Sequence, residues 1–212
     1  MAIRLSALSQ KGGVAKSTIA RLIAAEYARN EWDVLIADMD LSQGTSYRWQ
    51  QRRLQADITP DIAVQQFRRV KTALDVGENF DLVIFDGAPH SDRQTLELAQ
   101  VSDLVILPTG IALDDLDPTV RLAYELIEKG IKKEKLAIVF CRVGNSEVEY
   151  QEAVEFFSST PFFLLSGFLP ERTAYRRASD TGRAASETTH KSLNKKADEI
   201  VQAIIDRFEE IK

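Results

Sequence analysis

Nine residues near the start of the chain, Gln10-Lys11-Gly12-Gly13-Val14-Ala15-Lys16-Ser17-Thr18, restrict its fold more than any other stretch. An apolar run, Ile3–Leu8, precedes them, and helical periodicity from about Ser17 to Asn30 follows. Adjacent glycines let backbone N–H groups converge on one point, and the start of a helix favours negative charge there. A strand, a glycine-bearing loop and a helix opening on Lys-Ser together read as a phosphate-binding loop. Lys16 is then placed to pair with the outer phosphates of a nucleotide, and the Ser17 hydroxyl to ligate Mg²⁺. The strict Gly-x-x-x-x-Gly-Lys-Ser/Thr pattern is not met. Ala15 stands at the second glycine position, and Ser9-Gln10 lead into an additional lysine, Lys11.

Short apolar runs recur along the chain at Val34–Ala37, Leu82–Phe85, Leu104–Leu107, Leu136–Phe140 and Phe162–Phe168. Each is bounded by polar or turn residues and reads as a buried strand. Helical spacing fills the stretches between, as at Val120, Tyr124, Ile127 and Ile131. Alternation of this kind predicts an α/β fold, a mostly parallel central sheet with helices on both faces. Ligands of such sheets sit beyond the carboxyl ends of the strands. Chemistry-bearing residues do follow the apolar runs: Lys11–Thr18, then Asp38 and Asp40, then Asp86, then Pro108-Thr109. With 212 residues and neither repeat nor linker, the expectation is one domain spanning 1–212. The single cysteine, Cys141, excludes a disulfide framework and a cysteine-ligated iron–sulfur cluster within the chain. No signal-like opening or membrane-length apolar window is present, so the expected location is the cytoplasm.

The loop resembles the deviant Walker A motif, Lys-Gly-Gly-x-x-Lys-Ser/Thr, of the ParA/MinD family of P-loop ATPases. The resemblance implies ATP and Mg²⁺ as cofactors, bound through Lys11, Gly12, Gly13, Val14, Ala15, Lys16, Ser17 and Thr18. It makes Lys11 the signature lysine, which crosses an ATP-dependent homodimer to the partner's phosphates, so that Lys11 and Lys16 both serve catalysis. Asp38-Met39-Asp40-Leu41-Ser42-Gln43-Gly44 resembles the family's Asp-x-Asp-Pro-Gln-Gly signature. By that match Asp40 positions the attacking water and Asp38 helps organise Mg²⁺. Leu41-Ser42 replaces the proline and adds a residue, which alters the loop. Phe80–Asp86 has the Walker B pattern, so Asp86 is expected to hold Mg²⁺ opposite Ser17. His90 follows in a loop and reads as a surface histidine. The resemblance places adenine near Arg142 and Pro170, with Arg142 either stacking on the base or facing water.

Between Glu171 and Lys196, seven basic residues (Arg172, Arg176, Arg177, Arg183, Lys191, Lys195, Lys196) outnumber three acidic ones, in a chain of net charge −5. A basic face on an acidic body suits an anionic partner. Arg172-Thr-Ala-Tyr175 through Gly182 resembles the ParA segment whose basic residues bind DNA without sequence preference. By resemblance the seven are candidate DNA contacts, the ATP form is nucleoid-associated, and a ParB-like or other small basic partner stimulates hydrolysis. The closest pattern is the small plasmid-type ParA that drives plasmid or chromosome partition or cargo positioning. A MinD-like membrane-cycling ATPase and a metabolic P-loop synthetase are the alternatives. The last helical stretch, about 192–211, has a polar face dominated by Asp198, Glu199, Asp206, Glu209 and Glu210. Membrane-gripping helices present basic faces to anionic lipid. This one is expected to dock on the sheet, with no membrane partner.

Overall fold

The computed structural model describes residues 2–89 and 92–212. Strands and helices alternate: β1 (Ile3–Ala7), α1 (Lys16–Arg29), β2 (Val34–Asp38), α2 (Thr45–Gln55), β3 (Ala63–Gln66), α3 (Val70–Gly77), β4 (Leu82–Asp86) and α4 (Asp92–Val101). Then come β5 (Leu104–Thr109), α5 (Leu113–Glu128), β6 (Leu136–Val143), α6 (Glu147–Ser158), β7 (Phe163–Pro170), α7 (Thr173–Asp180) and α8 (Lys191–Ile211). The strands form one sheet in the order β3-β2-β4-β1-β5-β6-β7, and every ladder is parallel. The expected α/β, P-loop NTPase-like fold is the one the chain adopts.

Apolar runs are continuous because these strands are covered on both faces. Val34 and Ile36 of β2, Leu82 and Ile84 of β4, and Leu104 and Ile106 of β5 enter one core with α1 and α8. Their alternates, Leu35, Ala37, Val83, Phe85, Val105 and Leu107, enter the opposite core with α3 to α6. A period of two sends successive side chains to opposite layers. β3 escapes the sequence reading because it lies at the sheet edge, where among Ala63-Val-Gln-Gln only Val64 is buried. The inward face of α5 also differs from the periodicity named above. The helix buries Leu116, Thr119, Leu122, Ala123 and Leu126, whereas Tyr124 is exposed and sets its ring edge-on against Phe162.

α8 buries Ala197, Ile200, Val201, Ala203, Ile204 and Phe208 against the sheet side that α1 also covers. Among the described residues no helix is long and apolar enough to cross a membrane.

Candidate nucleotide site

The loop after β1 turns on two left-handed residues, Gly13 (φ 79°) and Ala15 (φ 78°, ψ 21°). Glycine enters that region freely, whereas a residue with Cβ pays about 1–2 kcal/mol. Ala15 caps α1 with no side-chain acceptor. The first N–H groups of the helix are therefore left for an outside anion. Because Ala15 sits at the glycine position of the strict motif, Ala15→Gly is expected to stabilise the protein by about 1 kcal/mol. That corresponds to a melting temperature higher by roughly 2–4 °C in a thermal scan.

Lys16 is 7 % exposed, and its ammonium donates to the Lys11 carbonyl at 3.1 Å. Burial pulls its pKa below the usual lysine value, against the opposing pull of Asp86 and Asp40. A cavity of about 450 Å³ opens beside it, lined among others by Gly12, Gly13, Ser17, Asp40 and Arg21.

Parallel register sets the ends of β2 and β4 side by side, with Asp38 opposite Asp86. Asp86 is 2 % exposed and accepts from the Ser46 hydroxyl through Oδ2 at 2.7 Å. Among the described residues its Oδ1 is buried with no partner, and the Ser17 hydroxyl lies on the same side of the site, near enough to favour the charged carboxylate. Burial raises the Asp86 pKa, opposed by Ser46, Arg21, Ser17 and Lys16. An orphaned carboxylate oxygen beside a hydroxyl is a hard oxygen donor set that fits Mg²⁺. Both oxygens of Asp38 accept backbone N–H groups. Its Oδ1 accepts the Asp40 N–H, and its Oδ2 accepts the N–H groups of Ser46 and Tyr47, each at 3.0–3.1 Å. It thus caps α2 from outside, supplying the anion that the Gly44 cap lacks. Burial, then the neighbouring Asp86, raises its pKa to about 6.

Asp40 lies half-buried at the cavity rim. Its Oδ1 accepts from the Ser42 N–H, the Ser42 hydroxyl and the Gln43 N–H, and its carbonyl accepts from Gly44 N–H. This side-chain-capped turn absorbs the residue that Leu41-Ser42 adds. All its side-chain bonds use Oδ1, so Oδ2 is unused among the described residues.

Lys11 points elsewhere. Its ammonium donates to the Asp114 carbonyl at 3.2 Å and pairs with the Asp115 carboxylate, both on α5. Pro118 explains the first acceptor: proline has no N–H to offer the carbonyl four residues back. The Lys11 side chain remains 42 % exposed.

A second cavity, about 400 Å³, lies on the other side of the loop. It brings Arg142 and Pro170 together with Gly13, Ala15 and Thr18. Arg142 takes a left-handed backbone (φ 58°) and bridges Gly13 O (3.0 Å) to the Glu171 carboxylate (2.9 Å). Arg172 and Arg176 also line this cavity. Arg172 donates to Asn145 Oδ1 at 2.7 Å, while Lys196 lies 4.5 Å from the centre of the Phe168 ring. Arg177 and Arg183 line a separate hollow with Thr188 and His190, and among the described residues their side chains have no polar partner. Lys191 and Lys195 are exposed on α8, Lys195 at 4.0 Å from Glu199. The seven basic residues are therefore divided between the side of α7 that faces the Arg142 cavity, its far side and α8. Val14 is buried beneath the loop. His90 lies outside the described residues.

Sequence reasoning missed Arg21, Ser46 and Ser179. A polar residue inside a helical pattern carries no sign that it points inward.

No curated protein matches this chain. Solved structures do. A putative plasmid partition protein from Borrelia burgdorferi B31 bound to AMPPNP is 16% identical over 98% of this chain and 100% of its own, with a TM-score of 0.74. The septum site-determining protein MinD of Pyrococcus horikoshii OT3, complexed with Mg-ADP, is 17% identical over 100% and 96%, at TM-score 0.74. Cobyrinic acid a,c-diamide synthase of Mycobacterium smegmatis, with an ATP analogue and magnesium, is 18% identical over 100% and 97%, at 0.71. At these identities the likeness is one of fold. The family model CbiA, the CobQ/CobB/MinD/ParA nucleotide binding domain, matches residues 5–185. The chain belongs to the CobQ/CobB/MinD/ParA nucleotide-binding family.

Proposed function

We propose that this chain is a one-domain, ATP-hydrolysing switch that dimerises on ATP and Mg²⁺, binds DNA without reading its sequence and so partitions or positions a cargo. The observation that carries this reading is the divergence of two lysines in one loop. Lys16 is buried at the phosphate cavity, while Lys11 stands outside it, held on α5 and half exposed. A lysine that served only its own nucleotide has no reason to be there. A lysine that crosses to a second copy does, and a second cation at the transferring phosphoryl group acts as an arginine finger does.

Bound MgATP supplies the reacting phosphoryl group and a metal that neutralises its charge. The chain supplies the rest. Lys16 and the α1 N–H groups hold the phosphates, Ser17 and Asp86 hold the metal, Asp38 fixes the loop, and Asp40 orients the water. Arg142 and Pro170 flank the base. Of the two alternatives, the membrane-cycling one loses support because the apolar face of α8 is already buried.

Two variants test this reading. Lys11→Ala should bind ATP but neither dimerise nor hydrolyse it. Asp40→Ala should accumulate as an ATP-bound dimer, with turnover lower by on the order of 10²–10⁴. Sedimentation with ATP and phosphate release measure both. An Asp40→Ala enzyme with normal turnover, or a Lys11→Ala chain that still dimerises, sinks the reading.

The DNA contacts are best supported at Arg177 and Arg183, whose guanidiniums are unpaired among the described residues, with Lys191 following. Three such cations per subunit make about six phosphate contacts per dimer, so log affinity should fall against log salt with a slope of roughly −5. Replacing Arg177 and Arg183 together by Glu should flatten the slope to about −2 for every sequence alike. Shift titrations at several salt concentrations read the slope, and an unchanged slope moves the DNA face elsewhere. A ParB-like partner and nucleoid association of the ATP form complete the proposal.

A further inference from the structure

α1 sends one long polar side chain into the interior. Arg21 is 4 % exposed, and its guanidinium stands where α1, α2 and α7 meet. Nε donates to Ser46 Oγ of α2 at 3.2 Å, and Nη1 donates to Ser179 Oγ of α7 at 3.0 Å. The Trp49 ring packs beside it, centroid 5.7 Å away. Among the described residues Nη2 is buried with no acceptor. Beyond Ser46 the chain of bonds continues, because its hydroxyl donates to Asp86 and its N–H to Asp38. Beyond Ser179 lies the helix that carries Arg176 and Arg177.

Stability alone does not explain this arrangement. A buried charge that lacks one of its acceptors is commonly matched or bettered by an apolar side chain of similar volume. Position does explain it. Arg21 lines the phosphate-side cavity, and Ser179 lines both that cavity and the base-side one. Any ligand that spans the two cavities meets the guanidinium at one end of its path and the α7 hydroxyl along it. An acceptor brought into the phosphate-side cavity answers the unused Nη2 donor. A new bond to Asp86 competes with Ser46. Either event redirects the fork, and Ser179 is the only bond from Arg21 to α7 among the described residues.

We propose that Arg21 is a positioning residue that couples the filling of the nucleotide cavity to the pose of α7, through Ser46 on one side and Ser179 on the other. The proposal rests on the reading that the cavity takes ATP and that α7 bears the DNA-contacting Arg177. Coupling between two such sites typically amounts to 5–150-fold in affinity. Arg21 would be the element through which ATP alters DNA affinity beyond simple pairing of two subunits.

The test uses the full chain at saturating nucleotide, so that altered nucleotide affinity drops out. Wild type, Ser179→Ala and Arg21→Lys are compared by two measurements: the ratio of DNA affinities with ATP and with ADP, and hydrogen exchange of α7 amides with and without ATP. Arg21→Lys keeps the charge and loses the fork, while Ser179→Ala removes only the α7 end, so a folding defect at Arg21 does not blunt the test. The expected result is a ratio lowered by on the order of tenfold in both variants, with the ATP-dependent change in α7 exchange lost. A wild-type ratio and wild-type α7 exchange in Ser179→Ala overturn the proposal. If wild type binds no DNA, the DNA reading fails while the exchange measurement still decides the coupling. Wild-type α7 amides indifferent to ATP refute it.

Discussion

Lys16→Ala is expected to abolish nucleotide binding at millimolar ATP while leaving the fold intact. Lys16 is the buried cation of the cavity beside the loop, and a charged partner truncated in a desolvated site loses about 2–5 kcal/mol. Four of those kilocalories correspond to roughly a thousandfold in Kd. The empty protein should tolerate the change, because Lys16 donates only to a loop carbonyl and its burial works against its charge. Calorimetric titration with ATP, beside circular dichroism of the apo protein, separates the two effects. A Kd within tenfold of wild type would remove Lys16 from the phosphate contacts. Lys11→Ala supplies the contrast, since its ammonium lies on α5 and its loss should spare binding.

Glu187→Ala should be the most destabilising single change away from the cavity. Arg53 is 1 % exposed and meets the Glu187 carboxylate with both Nη atoms, at 2.7 and 3.0 Å. Pro60 O and Gly182 O take further bonds from the same guanidinium. Removing the carboxylate leaves a buried cation uncompensated, at a cost of about 3–5 kcal/mol. That is a fall in melting temperature of roughly 6–20 °C. Burial alone would raise the Glu187 pKa, but the bonds from Arg53 and Ala184 N–H outweigh it and hold the pKa below the ordinary value. Its contribution is therefore complete above about pH 4.3, the unfolded value, and fades as pH falls through the depressed folded one. A melting temperature within 2 °C of wild type would refute the role. Arg53→Met combined with Glu187→Leu should recover much of the loss.

The strands between covered faces were legible because burial on both sides removes polar alternation, and β3 was not because edge position leaves it only Val64 to bury. The loop was legible through Gly12-Gly13 and Lys16, whose spacing serves only a few conformations. Asp38 could be placed at the site from its strand end, but nothing local says that its Oδ2 takes the N–H groups of Ser46 and Tyr47 on α2. The basic segment read as one charge cluster. α7 is only eight residues long, and neighbours on so short a helix face different hollows: Arg176 the cavity lined by Arg142 and Pro170, Arg177 the one beyond. Arg21 stayed hidden for a related reason. Its partners, Ser46 and Ser179, are far away in the chain and meet it only in the folded protein.

The central place of β1 has a kinetic side. The phosphate loop hangs from a strand whose two neighbours are β4 and β5, so Leu5 pairs with Ile84 on one flank and Leu104 on the other. No local hairpin can assemble that support, and such long closures come before any ladder repays them, which slows barrier crossing. The loop is thus unable to act as an early, autonomous fragment. Recovery of ligand capture after dilution from denaturant should run at the rate of global refolding, and added ATP should retard whole-chain unfolding by mass action rather than stiffen one corner.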